Sequence, residues 1–72
     1  MTQKITLSKR IGRNLKNQIK ASKYKTQDRF ATEAMYVDPS TVRRWIANGI
    51  KDLNTLEEIA RALEIDFMEL LK

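Results

Sequence analysis

The chain has 72 residues, a length typical of one small domain, and it contains neither cysteine nor histidine. That composition excludes thiol and imidazole nucleophiles, zinc sites built from those side chains, and disulfide bonds. Hydrophobic residues make up 42% of the chain and charged residues 32%, which is typical of a domain that folds in water. We therefore expect a binding domain rather than an enzyme, with no cofactor and no metal.

The charge is distributed unevenly along the chain. Lysine and arginine number 14 against nine aspartates and glutamates, which gives a net charge of +5. The first 25 residues hold eight of the basic side chains and no acidic one. Such asymmetry favours a polyanionic partner on one side of the domain. No signal peptide or membrane-spanning pattern is visible, so we expect a cytoplasmic protein.

The spacing of apolar residues predicts helices throughout and no strands, so the expected fold class is all-α. The first helix is predicted over residues 8–22, where Ile11, Leu15 and Ile19 lie four residues apart on one inward stripe. Gly12 is a small weakness of this helix, because glycine has a poor helix propensity. The opposite face of the helix is basic and carries Lys9, Arg13, Lys16 and Lys20.

The second and third predicted helices have clear start and stop signals. Thr26 is a suitable N-cap for a second helix over residues 26–35. Asp38, followed by proline, starts a third helix over residues 38–48, because proline lacks the N–H that a first helical turn leaves unpaired. Gly49 ends this helix, since glycine readily takes the left-handed conformation at a helix C-terminus.

Two more helices complete the chain. Asn54 is the predicted N-cap of a fourth helix over residues 54–64, and Asp66 begins a fifth over 66–71. Their inward residues are Leu56, Ile59, Ala60, Leu63, Phe67, Leu70 and Leu71. Five helices joined by short connections indicate a single domain that covers residues 1–72.

The second and third helices together have the pattern of a helix-turn-helix. At 100° per residue, Ser40 and Arg44 fall on one ridge of the third helix, flanked by Thr41 and Arg43. Arg44 is the leading candidate to read bases, because guanine offers two acceptors to an arginine in the major groove. Arg43 is assigned to phosphate rather than base. The opposite, inward face carries three residues predicted to be structural anchors, Val42, Trp45 and Ile46.

Residues next to the second helix suggest further contacts. Lys23 and Lys25 precede the helix N-terminus, where unpaired N–H groups and the helix dipole favour a phosphate. We therefore predict that both lysines contact phosphates. Tyr24 and Tyr36 are predicted to be packing residues, because two isolated tyrosines do not form a stacking platform for single-stranded nucleic acid.

Several residues match a known family pattern in both identity and spacing. Gln27, Phe30 and Ala31 open the second helix, and Asn48-Gly49 closes the third. The other matches are Asp38, Thr41, Val42 and Trp45, with the stripe of the fourth helix and the closing segment 66–71. By these residues the chain resembles the Cro/Xre-type phage-repressor helix-turn-helix family. The resemblance implies a compact five-helix lambda-repressor-like DNA-binding domain, with Phe30 and Ala31 as further structural anchors.

The resemblance also assigns contacts with DNA. It implies that Gln27 holds a phosphate and that Asn48 and Lys51 contact the phosphate backbone. The positions at which family members touch base edges are occupied here by Pro39, Ser40 and Arg44. Thr41 is expected to add to the discrimination between bases.

The resulting hypothesis is sequence-specific binding of double-stranded DNA by a bacterial or phage transcriptional regulator, acting as a repressor. The third helix is expected in the major groove, and a homodimer is expected on a palindromic operator at the nucleoid. Two other interpretations remain open. One is an antitoxin with the same fold, and the other is a helical protein-interaction module that does not bind DNA.

One departure from the family pattern affects the turn of the motif. Between Ala31 and Val37 there is one residue more than the usual spacing, and Met35 and Tyr36 stand where a turn glycine is expected. The additional residue could extend the second helix or widen the turn, which changes how deeply the third helix sits.

Overall fold

The computed structural model of the protein describes residues 6–72, which form five helices and no strand. Helix α2 begins as an α-helix at Gln27–Arg29 and continues as a π-helix at Phe30–Met35. The other helices are α1 (Leu7–Ala21), α3 (Pro39–Asn48), α4 (Leu53–Leu63) and α5 (Met68–Leu71). The prediction of an all-α, five-helix fold is confirmed. No helix within this described part is long and apolar enough to cross a membrane.

The core forms around α1, which packs against α3 and α5. Ile11, Leu15 and Ile19 are all buried, as their four-residue spacing predicts. The side chain of Asn14 donates a hydrogen bond to the carbonyl of Leu70 at 3.0 Å and so ties α1 to α5. The remaining buried apolar residues are Phe30, Ala31, Val42, Ile50, Leu56, Ile59, Ala60, Leu63 and Leu70.

The predicted caps of the two motif helices are present. The Thr26 side chain accepts a hydrogen bond from the Arg29 backbone N–H at 3.2 Å. Asp38 accepts one from the Ser40 N–H at 3.0 Å, and proline follows at the first turn of α3. Gly49 ends α3 with φ of 88°, a left-handed conformation that favours glycine. Local side-chain chemistry therefore fixes where α2 and α3 begin and where α3 ends.

The predicted starts of three other helices are wrong by one or two residues. Helix α1 starts at Leu7 rather than at residue 8, because the Thr6 side chain caps it. The cap of α4 is Asp52 and not Asn54, since the Asp52 carboxylate accepts from both the backbone N–H and the hydroxyl of Thr55. Helix α5 starts at Met68, whose N–H donates to Asp66 at 2.9 Å.

The additional residue in the motif turn is accommodated inside α2. A π-helix takes more residues per turn than an α-helix, so it holds one extra residue without breaking the helix. Tyr36 then ends α2 in a left-handed conformation, with φ of 57°, and the Val37 N–H donates to the Ala31 carbonyl at 2.9 Å. The sequence allowed either a longer second helix or a wider turn. The structure shows the first, with the C-terminal part of α2 underwound into a π-helix.

Candidate nucleic-acid interface

Helix α3 turns one side to the core and the other to solvent. Val42 is fully buried, and Trp45 and Ile46 are half-buried. On the opposite side Ser40 and Arg44 are exposed. This is the orientation that the helical positions predict, and it leaves a polar ridge free to meet another molecule.

The N-terminal end of the ridge is ordered by Asp38. One oxygen of its carboxylate accepts from both the backbone N–H and the hydroxyl of Ser40, each at 3.0 Å. These two hydrogen bonds hold the pKa of Asp38 below its ordinary value, because they favour the charged form. A hydroxyl has two lone pairs besides its proton. With the proton donated to Asp38, Ser40 can still accept a hydrogen bond, for example from the amino group of adenine or cytosine.

The other candidate base readers differ in exposure. Arg44 is exposed, and within residues 6–72 its guanidinium forms no ion pair with a carboxylate. Thr41 and Pro39 are half-buried, which leaves each of them a smaller free surface. Arg44 is therefore the long, charged side chain on this ridge that is most available to a groove.

Arg43 lies beside the ridge and forms a contact that the sequence analysis missed. Its Nη1 donates to Oδ1 of Asp28 at 3.0 Å, and more than half of each side chain is exposed. The pair joins the first turn of α2 to α3. These residues are 15 positions apart, so no local spacing rule predicts the contact, which depends on how the two helices cross.

Two of the phosphate candidates near α2, Lys25 and Gln27, line a shallow cleft of about 350 Å³. Lys16 and Lys20 from the basic face of α1 line it too, and so does Asp28. Lys25 has φ of 67° in a tight turn, in which the Thr26 N–H donates to the Tyr24 carbonyl at 2.7 Å. The cleft thus combines three ammonium groups with the N-terminus of α2, where a helix attracts anions.

Lys23 lies outside that cleft. Its Nζ is 4.0 Å from a carboxylate oxygen of Glu64 and 5.5 Å from the centroid of the Tyr24 ring. Tyr24 packs edge-on against Phe30 with 5.6 Å between ring centroids, as predicted for a packing residue. Tyr36 is 84% exposed, so the prediction that it packs is wrong. The left-handed backbone at its position directs this side chain into solvent.

The remaining phosphate candidates lie at the other end of α3. Asn48 is the last residue of the helix and Lys51 follows in the loop, and both are exposed. Eight residues separate Ser40 from Asn48, which corresponds to about 12 Å along the helix axis. Asn48 and Lys51 therefore lie beyond the C-terminal end of the ridge.

A larger groove of about 490 Å³ lies elsewhere, between the C-terminal part of α2, Trp45 and α4. Exposed Glu58 and Arg61 are on its border, together with Tyr36. None of the residues predicted to contact DNA lines this groove among residues 6–72. Its size does not make it the nucleic-acid site.

A capped helix with an exposed polar ridge, packed across a preceding helix, is the arrangement of a helix-turn-helix. The chain matches the helix-turn-helix family model of the Cro/C1 type over residues 15–70, and it belongs to that family. The protein is therefore a DNA-binding transcriptional regulator, from a family that is generally non-enzymatic.

The fold is also similar to that of a known repressor. The solution structure of the SOS-response transcriptional repressor LexA from Eubacterium rectale superimposes with a TM-score of 0.74 and 24% sequence identity. The match covers 99% of this chain and 74% of the other. This likeness supports the fold. No curated protein matches the chain.

Proposed function

We propose that the protein represses transcription by placing α3 in the major groove of a specific DNA site. One observation carries this proposal. Buried Val42 anchors α3 to the core, while Ser40 and Arg44 stand exposed on the opposite side of the same helix. A rigid helix that presents a hydroxyl and a guanidinium matches the donor and acceptor pattern of base edges in a major groove.

Discrimination between sequences is assigned to the ridge. Arg44 reads guanine through O6 and N7, and Ser40 accepts from an exocyclic amine while its own hydroxyl donates a hydrogen bond to the Asp38 carboxylate. Thr41 adds a contact from the flank of the ridge. Pro39 has neither an N–H nor a polar side chain, so its contribution is apolar, as in contact with a thymine methyl group.

Most of the raw affinity is assigned to phosphate contacts, which do not depend on sequence. Gln27 and Lys25 take a phosphate at the cleft beside α2. Asn48 and Lys51 take another beyond the end of α3. The phosphate set is completed by Lys23 and Arg43. Contacts at the cleft beside α2 and beyond the end of α3 fix the depth and direction of α3 in the groove.

A homodimer on a palindromic operator completes the proposal. One recognition helix reads few base pairs, and a two-fold dimer doubles the site with half-sites about 34 Å apart. Met68 is 58% exposed, and Phe67 and Leu71 are half-buried, so the α5 surface offers apolar area for the second subunit. Such a regulator acts in the cytoplasm, where it associates with the nucleoid.

The test is a titration with duplex DNA, followed by selection of preferred sites from random duplexes. Binding to nonspecific duplex at about 50 mM salt is expected, with an affinity that falls steeply as salt rises. The selected sites are expected to be palindromic, and the protein–DNA complex to have the mass of two chains on one duplex. A protein that does not bind duplex at low salt, or selects no preferred sequence, would contradict the proposal.

A further inference from the structure

The ion pair between Asp28 and Arg43 sets one cation apart from the others. The cations predicted to contact DNA include Arg44, Lys25 and Lys51, and within residues 6–72 none of these three is paired with a carboxylate. Lys23 approaches Glu64 only to 4.0 Å. Arg43 instead donates a hydrogen bond to Asp28 at 3.0 Å. A carboxylate therefore neutralises one specific cation at the edge of α3.

Asp28 is placed where a negative charge opposes DNA binding. It follows Gln27, which is assigned to a phosphate, and it lines the same basic cleft. Its side chain is 68% exposed and borders the cleft, so a phosphate bound there lies near its charge. A carboxylate at this position weakens the electrostatic attraction that holds a protein on DNA of any sequence.

We propose that Asp28 is a specificity-determining residue, which acts by holding Arg43 away from phosphates when the protein is on nonspecific DNA. The proposal rests on the proposed function, since it requires a protein that prefers one duplex sequence over others. A guanidinium has five N–H donors, and the hydrogen bond to Asp28 uses one of them.

Because Arg43 keeps free N–H donors, its ion pair with Asp28 affects the operator complex and the nonspecific complex differently. On the operator, a seated α3 brings these donors to one fixed acceptor, and Arg43 reaches it without leaving Asp28. Nonspecific DNA also carries phosphates, but α3 is not seated there in one register, so the paired guanidinium meets none of them at a fixed position and adds little to the nonspecific affinity. Asp28 therefore weakens nonspecific binding more than operator binding.

The direct test removes the charge of Asp28 and keeps its shape. The probes are a duplex selected by the wild-type protein and a scrambled duplex of equal length. For Asp28→Asn we expect affinity for the scrambled duplex to rise about three- to ten-fold at 50 mM salt, with a salt slope steeper by about one contact. Affinity for the selected duplex should rise less, so the ratio of the two affinities falls. Both side chains are largely exposed, so the variant should fold, which circular dichroism can establish.

A double-mutant cycle identifies the route of the effect. In an Arg43→Gln background, Asp28→Asn should raise the affinity for scrambled duplex clearly less than in the wild-type background, because the cation that it would release is gone and only the direct repulsion of phosphates is relieved. An equal rise in both backgrounds would overturn the proposal, since Asp28 would then act by direct repulsion of phosphates. An equal rise on both duplexes, or no change on either, would also overturn it.

Glu33→Gln is the matched control, because it also removes one carboxylate from an exposed ion pair. Glu33 pairs with Arg29 at 3.1 Å in α2, outside the predicted contact residues and outside the α5 surface. The control should leave the affinity ratio unchanged, and an equal fall in the ratio would assign the effect to net charge and overturn the proposal. If the wild-type protein selects no preferred duplex, the proposed function fails as well. If the wild-type protein does select a preferred duplex, the double-mutant cycle tests the role of Asp28 independently of the proposed function.

Discussion

Gly12 of α1 lies directly against the backbone of Ile46 in α3. A Cβ atom at Gly12 would be 2.9 Å from the carbonyl carbon of Ile46 and still closer to its oxygen. The same atom would be 3.0 Å from the carbonyl oxygen of Trp45. The residue that looks like a weakness of α1 in the sequence is thus the point where α1 supports the recognition helix.

Gly12→Ala should destabilise the protein although alanine is the better helix former by about 1 kcal/mol. The atoms that the methyl group meets are backbone, which cannot rotate away, so overpacking should lower the free energy of unfolding by about 1 to 3 kcal/mol net. Urea unfolding measures this. Asn17→Ala, at an exposed position of α1, is the control and should be neutral or slightly stabilising. A Gly12→Ala protein as stable as wild type would contradict the close contact with Ile46.

Tyr36 allows a prediction of the opposite sign. Its left-handed backbone is unfavourable for a residue with a Cβ atom, and its side chain is 84% exposed, so it buries little. Tyr36→Gly should raise the free energy of unfolding by about 0.5 to 1 kcal/mol, as relief of the strain exceeds the added chain entropy. Tyr36→Ala removes the same ring but keeps a Cβ atom, so the backbone strain remains and stability should be nearly unchanged. Equal melting temperatures for the two variants would contradict this account of the strain.

The sequence predicts those parts of the fold that depend on neighbours along the chain. Thr26 and Asp38 are recognisable caps because each bonds to an N–H two or three residues later. The predicted N-cap of α4 is wrong because Asp52 and Asn54 are both suitable cap residues. The hydrogen bonds from Thr55 to the Asp52 carboxylate show that Asp52 is the cap. The π-helical part of α2 is not predictable from residue preferences, although the additional residue in the turn pointed to that segment.

The same division holds at the candidate site. The exposure of Ser40 and Arg44 follows from helical periodicity once the burial of Val42 is assumed. The pairing of Arg43 with Asp28 does not follow from helical periodicity. It depends on the angle between α2 and α3, which local spacing does not determine. Contacts between helices therefore depend on the three-dimensional packing, while the direction of each helical face follows from the spacing of apolar residues.

The carboxylate caps predict how stability depends on pH. Hydrogen bonds from the backbone N–H and hydroxyl of Ser40 lower the pKa of Asp38, and chiefly the hydroxyl of Thr55 lowers that of Asp52. A pKa that is lower in the folded state adds stability above the unfolded-state pKa of about 4, and this stability is lost as the pH falls below that value and through the lower folded-state pKa. Urea midpoints should therefore decrease from pH 6 to pH 3.

The matched variant for this prediction is the double substitution Asp38→Asn and Asp52→Asn. Asparagine can still cap a helix, but it does not titrate, so the decrease between pH 6 and pH 3 should be smaller than in the wild type. Comparing the urea midpoints of the double variant and the wild type at pH 6 shows any change in stability that comes from capping rather than from titration. An identical decrease in both proteins would assign the acid sensitivity to other carboxylates.

Arg44→Ala tests the division between base and phosphate contacts. If Arg44 reads one base pair, its removal should reduce discrimination at that position by about 1 to 3 kcal/mol and leave nonspecific affinity largely intact. Binding to selected duplexes with single base-pair changes measures this directly. Lys51→Ala is the comparison, since loss of a phosphate contact should weaken all sequences alike and lower the salt slope by about one. Unchanged base preference in Arg44→Ala would contradict its role as a base reader. A sequence-selective loss in Lys51→Ala would contradict its role as a phosphate contact, because phosphate contacts carry no sequence information directly.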